Sequence, residues 1–503
     1  MMSWNGMIWR RASLVSLLLF LLAPLPALAK PDTATLFKTH CAECHGADRL
    51  GGVGPALLPQ NLHRLRRKKA IKAITNGLEA AQMPAFGEVL SAQEISSLVD
   101  MIFTPLPHMP KWGKQEIMAS RILTPARIKT GKPLWDADPM NVFVVVETGD
   151  HHVTILNGDT FRPMHRFKSR YALHGGPKFT SDGRYVFFGS RDGWVSKFDL
   201  YTLGITAEVR AGINIRNIAV SSDNRFLMVA NYLPHTLVLL NTSDLSVARV
   251  IPVGDGKNSS RVSAVYNAPP RKSFIAALKD IREVWEISYA AGKPANFPIR
   301  RIKLGDYLDD FFFSQAYDKL IGTARNAKNG QVIDLDLGKK IADVPISGMP
   351  HLGSGITFTY KGRRVMATQH IREPKITVID MQDWSIIKTI PTRGPGFFLR
   401  SHENTPYIWG GVFFGPNRDM MHIIDKKTLE IIKTLRPVPG KTLAHVEFTK
   451  TGSHALVSLW EKDGALLIFD AKTFREVARL PMSKPSGKYN VHNKITYSEG
   501  TSH

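Results

Sequence analysis

The 503 residues include two cysteines, and both stand in Cys41-Ala42-Glu43-Cys44-His45. C-x-x-C-H is the attachment signature of haem c. Two thiols on one helical turn add to the two vinyl groups of the haem, and the histidine that follows offers a ring nitrogen to the iron. A thioredoxin-type redox pair and half a zinc site are the other uses of C-x-x-C. The sequence has no second such pair, and His45 directly follows this one. A second axial ligand is expected on a downstream loop. Met83, in Gln82-Met83-Pro84, is the candidate, because a thioether sulfur raises the potential of electron-transfer haems. His63 competes for that position.

These ligands need a small helical domain to hold them. Residues 32–37 start a helix ahead of the motif. Residues 90–103 read as a terminal helix with Ser91 as N-cap and Glu94 completing a capping box. A class I cytochrome c domain is therefore expected over 30–104. Residues 1–29 read as a signal peptide: Arg10 and Arg11, an apolar run over 14–25, then Ala27-Leu28-Ala29 as cleavage site. Export to the periplasm follows. A retained membrane anchor is the alternative, but the run is short for the ~20 residues that cross a bilayer. No membrane span is expected after cleavage. Residues 105–135 read as a linker stiffened by five prolines, with Trp112 and Trp135 as pins.

The rest of the chain repeats. An apolar strand ending in Asp or a substitute recurs at Asn157, Asp199, Asn241, Ser288, Asp334, Asp380, Asp425 and Asp470, at intervals of 42 to 47 residues. Such a period, with turn signals between short strands, predicts an all-β propeller of eight blades over 136–503. An open solenoid is the other architecture. A closed ring needs its termini to share a blade, and residues 488–497 are expected to supply that strand. Apolar residues at 43% and charged residues at 22% suit a globular chain and exclude a disordered one. Lys and Arg outnumber Asp and Glu by 66 to 43. Such a surface suits anionic partners, and export argues against nucleic acid.

A haem c domain ahead of an eight-bladed propeller resembles the cytochrome cd1 family over essentially the whole mature chain. Tyr171-Ala172-Leu173-His174, Gly183-Arg184-Tyr185 and Gly189-Ser190-Arg191-Asp192-Gly193 are similar to that family's haem d1 blade. The resemblance implies that His174 binds the d1 iron from the proximal side, and that Arg191 and Arg216 meet the macrocycle's carboxylates. In the family's nitrite reductases one distal histidine has a Leu-His-Asp context. The corresponding Leu308-Asp309-Asp310 has none, while the other histidine maps onto His351. The match therefore leans toward the dihydro-haem d1 dehydrogenases of haem d1 biosynthesis, as does the tail around 488–503. Nitrite reduction, or a non-catalytic electron-carrier or haem d1 chaperone role, is the alternative.

The residues support a tetrapyrrole site independently. A propeller binds ligands at its axis, where loops from all blades converge. A flat tetrapyrrole carboxylate needs an iron ligand, an apolar slot and a cationic rim. Arg191, Arg216, Arg261, Arg325 and Arg400 come from five different repeats, as a rim requires, although each can also be an ordinary ion pair. His351, between Pro350 and Gly353, and His445, at the start of Val446-Glu447-Phe448, are the catalytic candidates. The resemblance implies oxidation of a propionate side chain to an acrylate, with electrons passing to haem c and on to an external acceptor. His351 is expected as the base and His445 as an orienting group or ligand. A cytochrome cd1 nitrite reductase, as recipient of haem d1, and a NirF-type biosynthesis protein are the implied partners.

Overall fold

The computed structural model describes residues 32–51, 54–62, 65–77, 83–108, 111–124, 130–173, 175–324 and 327–496. The leader-like segment 1–29 and the tail beyond 496 lie outside them. The N-terminal domain is helical. Thr33–His40, capped by Asp32, runs into the motif, and Ala42–His45 carries it. The terminal helix is Ala92–Phe103. Ser91 Oγ accepts from the Glu94 N–H at 3.3 Å, and Glu94 Oε2 accepts from the Ser91 N–H at 2.8 Å, the expected capping box. Its face of Ile95, Leu98, Val99 and Ile102 packs on Phe37, Leu62, Ala70 and Ile74.

Eight antiparallel sheets follow as a ring. Blade 1 is 142–168 plus the strand Pro485–Asn490, blade 2 is 178–210 and blade 3 is 214–252. Blades 4 to 8 are 262–303, 310–344, 356–391, 396–435 and 443–481. Every recurring Asp, Asn or Ser ends the third strand of its blade. Its role is local: Asp425 Oδ1, for example, accepts the N–H groups of Lys427 and Thr428 at 2.7 and 2.9 Å. Four residues further on, the chain is left-handed in all eight blades, at Phe161, Leu203, Leu245, Gly292, Gly338, Trp384, Leu429 and Phe474. Six of these are bulky, in a conformation that costs L-residues roughly 1–2 kcal/mol. Burial offsets that cost, with Leu245 and Leu429 fully buried. The repeat is thus one turn made eight times, Asx-capped in most blades, with Ser288 Oγ accepting the Ala290 N–H at 3.3 Å in blade 4 and Asn241 Nδ2 donating to Ser246 Oγ at 2.8 Å in blade 3.

The ring closes through Pro485–Asn490, which pairs antiparallel with Val142–Glu147. The expected closing strand over 488–497 begins earlier and is shorter. Beyond Asn490 the chain turns into the helix Val491–Thr496, because Val491 and Ile495, four apart, both pack into the core of blades 1 and 2. The segment expected as a linker also carries structure. The helix Lys114–Ala119 buries Ile117 in the core shared by blades 2 and 3, and Ile122–Leu123 adds a fifth strand to blade 2. The Trp112 and Trp135 indoles donate to the Arg210 and Leu200 carbonyls, both at 2.8 Å. Among the described residues no helix is long and apolar enough to cross a membrane.

Several histidines serve only this frame. His422 Nδ1 donates to Thr434 Oγ1 at 2.8 Å while Nε2 accepts from the Arg393 N–H at 3.2 Å. His370 Nε2 accepts from Thr377 Oγ1 at 2.8 Å, and its Nδ1 donates to the Ser347 carbonyl. Burial pushes both rings down from 6.5 to about 4. Their folded pKa lies below the unfolded one, so their contribution is complete above pH 6.5 and is lost as pH falls from 6.5 to about 4. The melting temperature should fall through that window, and His422→Gln should shallow the fall. An unchanged slope in His422→Gln would rule the ring out as a contributor.

Candidate functional site

The motif helix and the loop after it build the first site. Cys41 and Cys44 are free thiols, one half-buried and one exposed. Burial pushes the Cys41 thiol up to about 11, the reverse of what a redox-active pair needs. His45 Nδ1 donates to the Pro55 carbonyl at 2.8 Å, which leaves Nε2 as the ring's acceptor. Iron-ligating histidines are oriented in just this way. Burial also lowers its pKa, keeping the ring neutral. A Cβ on Gly54 would meet His45 Nδ1 at 2.9 Å, so glycine is required there. Met83 packs against the same domain core. His63 lies outside the described residues. This donor set suits a covalently held haem, with Cys41 and Cys44 as attachment points and His45 and Met83 as iron ligands.

The second site is a cavity of about 570 Å³ on the propeller axis, walled by all eight blades. Four of its lining residues are cationic: Lys178, Arg216, Arg400 and Lys494. Burial pushes Lys178 down to about 8, against the pull of Asp310. Burial works against the charge of Arg216, but Tyr232, Asp310 and Tyr266 outweigh it and raise its pKa. Arg400 is 3% exposed, with Nε 3.5 Å from Glu447 and Nη1 donating to the Leu399 carbonyl at 2.9 Å. Phe188, Phe397, Phe398, Tyr232, Tyr266 and Tyr489 supply flat apolar surface.

The expected rim is only partly on this wall. Arg216 and Arg400 line it. Arg191 and Arg261 do not; they sit 5.8 and 5.6 Å from the ring of Tyr232, which does. Arg261 is also held by both oxygens of Asp280, at 2.9 and 2.5 Å. Arg325 and His174 lie outside the described residues. The neighbours of His174, namely Leu173, Gly175 and Gly176, line the cavity. Gly175 is left-handed and a Cβ there would meet Asn217 at 2.8 Å. The glycine is therefore required by the protein's own packing.

Both catalytic candidates line the cavity, in different settings. His351 sits on a loop ahead of a single turn, Leu352–Ser354. Its Nδ1 donates to the Phe397 carbonyl at 2.8 Å, and Ser354 Oγ lies against the same nitrogen. The loop is tied to blade 5, where Asp310 Oδ2 accepts the Gly353 N–H at 2.8 Å and Oδ1 accepts the Tyr266 hydroxyl at 2.9 Å. His445 lies on Leu443–Phe448 where the register slips between Ala444 and Val446. Such a bulge re-aims a side chain. The ring is wedged between Phe398 and Tyr489, with centroids at 4.9 and 5.2 Å. Its Nδ1 is buried with no hydrogen-bond partner among the described residues. Burial, then Lys488, Arg400 and Lys494, hold its pKa well below the usual range; burial lowers that of His351 too. Sequence reasoning missed Lys178, Lys494, Asp310, Tyr232, Tyr266 and Tyr489. For Tyr489 a signal existed, since Gly487 and Tyr489 alternate with Lys488 on the closing strand.

Comparison with known proteins matches 137–494 to the cytochrome D1 heme domain and 29–102 to the cytochrome C oxidase, cbb3-type, subunit III family. The chain is 54% identical to a dihydro-heme d1 dehydrogenase of Pseudomonas aeruginosa over 484 residues, covering 95% of this chain and 98% of that protein. It is 22% identical to a nitrite reductase of Stutzerimonas stutzeri, over 93% of each chain. A solved structure of the dihydro-heme d1 dehydrogenase NirN in complex with DHE superimposes with a TM-score of 0.89, covering 92% of this chain and 99% of that one. With a family match over most of its length and a near full-length relative at this identity, the chain belongs to the cytochrome D1 heme domain family, with a cytochrome c domain fused ahead of the propeller.

Proposed function

We propose that this protein is a dihydro-haem d1 dehydrogenase acting in haem d1 biosynthesis. The full-length 54% likeness to a protein of that name carries the reading, and the polycationic axial cavity supports it. The reaction turns a propionate –CH2–CH2– into –CH=CH–, breaking two C–H bonds and releasing two electrons and two protons. Arg216, Arg400, Lys178 and Lys494 hold the substrate's carboxylates, with Arg191 and Arg261 behind Tyr232. His174 takes the substrate iron from one side. When bound, haem c supplies one-electron acceptance, so an external one-electron acceptor must clear each electron in turn. Export to the periplasm, delivery of haem d1 to a nitrite reductase and contact with a NirF-type protein complete the reading.

The geometry favours exchanging the expected histidine roles. His351, like His45, spends Nδ1 on a backbone carbonyl and keeps Nε2 as acceptor, the arrangement of a metal ligand. His445 Nδ1 has no partner to surrender and can take a proton. Tyr489, which burial pushes to about 12, stays protonated beside it and can pass a proton on. His351 then meets the substrate iron, and His445 with Tyr489 handles the protons.

Three outcomes test this reading. Purified protein should oxidise bound dihydro-haem d1 without turning over nitrite; nitrite turnover instead would overturn it. His351→Ala should shift the absorption spectrum of the bound substrate. His445→Ala and Tyr489→Phe should keep the spectrum but slow conversion, by up to ~10²–10⁴-fold for a lost base. A spectral shift in His445→Ala with none in His351→Ala would restore the opposite assignment. Since burial holds His445 neutral, the acid limb of the single-turnover rate should lie below the ordinary imidazole value of 6.5. In the first domain, Cys44→Ala should abolish the normal covalent haem while circular dichroism still reports a folded propeller. Met83→Ala should keep the haem and lower its midpoint potential. An unchanged potential would assign the ligand elsewhere.

A further inference from the structure

The wall between the cavity and the cytochrome domain is thin, and one arginine pins it. Tyr232 and Leu233 are consecutive in the strand Phe226–Leu233. Tyr232 lines the cavity. Leu233, fully buried, packs with Ile213 and with Ala56 and Leu58 of the cytochrome domain. The register slips between Asn231 and Leu233, and the two neighbours face the two compartments, so one strand separates them there. The apolar patch is small, and small contacts of this kind leave domains free to shift.

Arg210 supplies the missing constraint. It is 6% exposed and bonds to both domains. On the propeller, Nε donates to the Asp192 carbonyl at 2.9 Å. On the cytochrome side, Nη1 donates to the Gly51 carbonyl at 3.4 Å, and Nη2 to that of Leu50. The Gly51 N–H in turn donates to the His45 carbonyl at 2.8 Å. The guanidinium therefore grips the loop hydrogen-bonded to the haem-ligating residue itself. Trp112 covers it, with the guanidinium 4.7 Å over the indole and the indole N–H on the Arg210 carbonyl. Gly51 permits the approach, since a Cβ there would lie 2.9 Å from Nη2. Arg191, next to Asp192, reaches back over Tyr232.

We propose that Arg210 is a positioning residue that fixes the haem-bearing loop against the Tyr232–Leu233 wall and thereby sets the rate at which electrons leave the cavity. The inference rests on the reading that the two substrate electrons pass singly to haem c. His445 takes the two protons in turn and passes each on beside Tyr489 to solvent, and a soluble one-electron oxidant such as ferricyanide reoxidises haem c between transfers.

The test compares full-length holoprotein with Arg210→Lys, which keeps the charge but loses the fork, and with Arg210→Gln. Stopped-flow mixing with dihydro-haem d1 follows haem c reduction. Electron transfer falls off with the donor–acceptor gap less steeply than bond-making does with misplaced atoms, where ~1 Å can cost ~10²-fold, so Arg210→Gln should be slower by about tenfold, with Arg210→Lys between. Affinity for dihydro-haem d1, haem c midpoint potential and haem c reduction by dithionite should not change. Without substrate, Trp112 emission and proteolysis of the segment joining the domains should report looser docking in the same order. Equal transfer rates in all three proteins would overturn the proposal; if Arg210→Gln does not fold, Arg210→Lys decides. Should the native protein convert substrate with haem c never reduced, the electron route itself is wrong. Docking signals unchanged in both variants would then reject Arg210 as a positioning residue as well.

Discussion

The axial site depends on one edge-to-edge pairing. Ser486 and Val146, 340 positions apart, meet when Pro485–Asn490 docks on Val142–Glu147. Before that pairing, blade 1 has no inner strand, the ring is open and two sheet edges are exposed. The seam is then locked by buried polar bonds. Lys488 Nζ donates to Ser458 Oγ at 2.6 Å and to the His445 carbonyl, tying blade 1 to blade 8. Asn493 Nδ2 donates to Glu447 Oε1 and to the Phe448 carbonyl, both at 2.9 Å. A buried network of this kind stabilises when its groups are paired and costs where they are not. The closing strand also delivers Tyr489, and the helix after it delivers Lys494. Ring closure and completion of the site thus use the same residues.

That completed site is electrostatically expensive. Two arginines and two lysines share one cavity with Asp309 and Asp310, and removing charge from water is costly unless it is compensated, so burial also pulls the pKa of Lys494 well below the ordinary lysine value. Lys178 shows the strain by falling to about 8. A ligand carrying several carboxylates relieves it. A lining of this kind favours a polyanionic tetrapyrrole over a neutral planar molecule of the same size, which gains only the aromatic contacts.

The fold was legible because one turn repeats. Asp334, Asp380, Asp425 and Asp470 each cap the same hairpin, so the period is visible wherever the cap survives, and even through Ser288, where it weakens. C-x-x-C-H and the Ser91–Glu94 box were legible for the same reason: their geometry is local. The cavity was less so. Arg216, Arg400, His351 and His445 were found by residue type, but Arg261 has the same type and is held by Asp280. Lys178 and Lys494 were passed over because solvated surface lysines are the ordinary case, and only ring closure buries them. The bulge that turns His445 left no mark in its neighbours, since it arises from pairing with His454–Leu459.

The three histidines proposed as iron ligands or base share one electrostatic requirement. An iron ligand must be deprotonated, and so must a base. His45 is kept neutral by burial inside a small helical domain. His351 and His445 are kept neutral inside a cavity whose other task is to attract carboxylates. Burial does most to lower the pKa of both rings; Arg400 adds to it in each, against Asp310 at His351, and Lys488 and Lys494 add to it at His445. The cations proposed to hold the substrate's carboxylates thus add to burial in keeping the imidazoles in the form that can bind iron or take a proton. Removing a cation from this wall would weaken binding and bring the histidines closer to protonation, so the cationic lining and the neutral rings are one design constraint on the cavity rather than two.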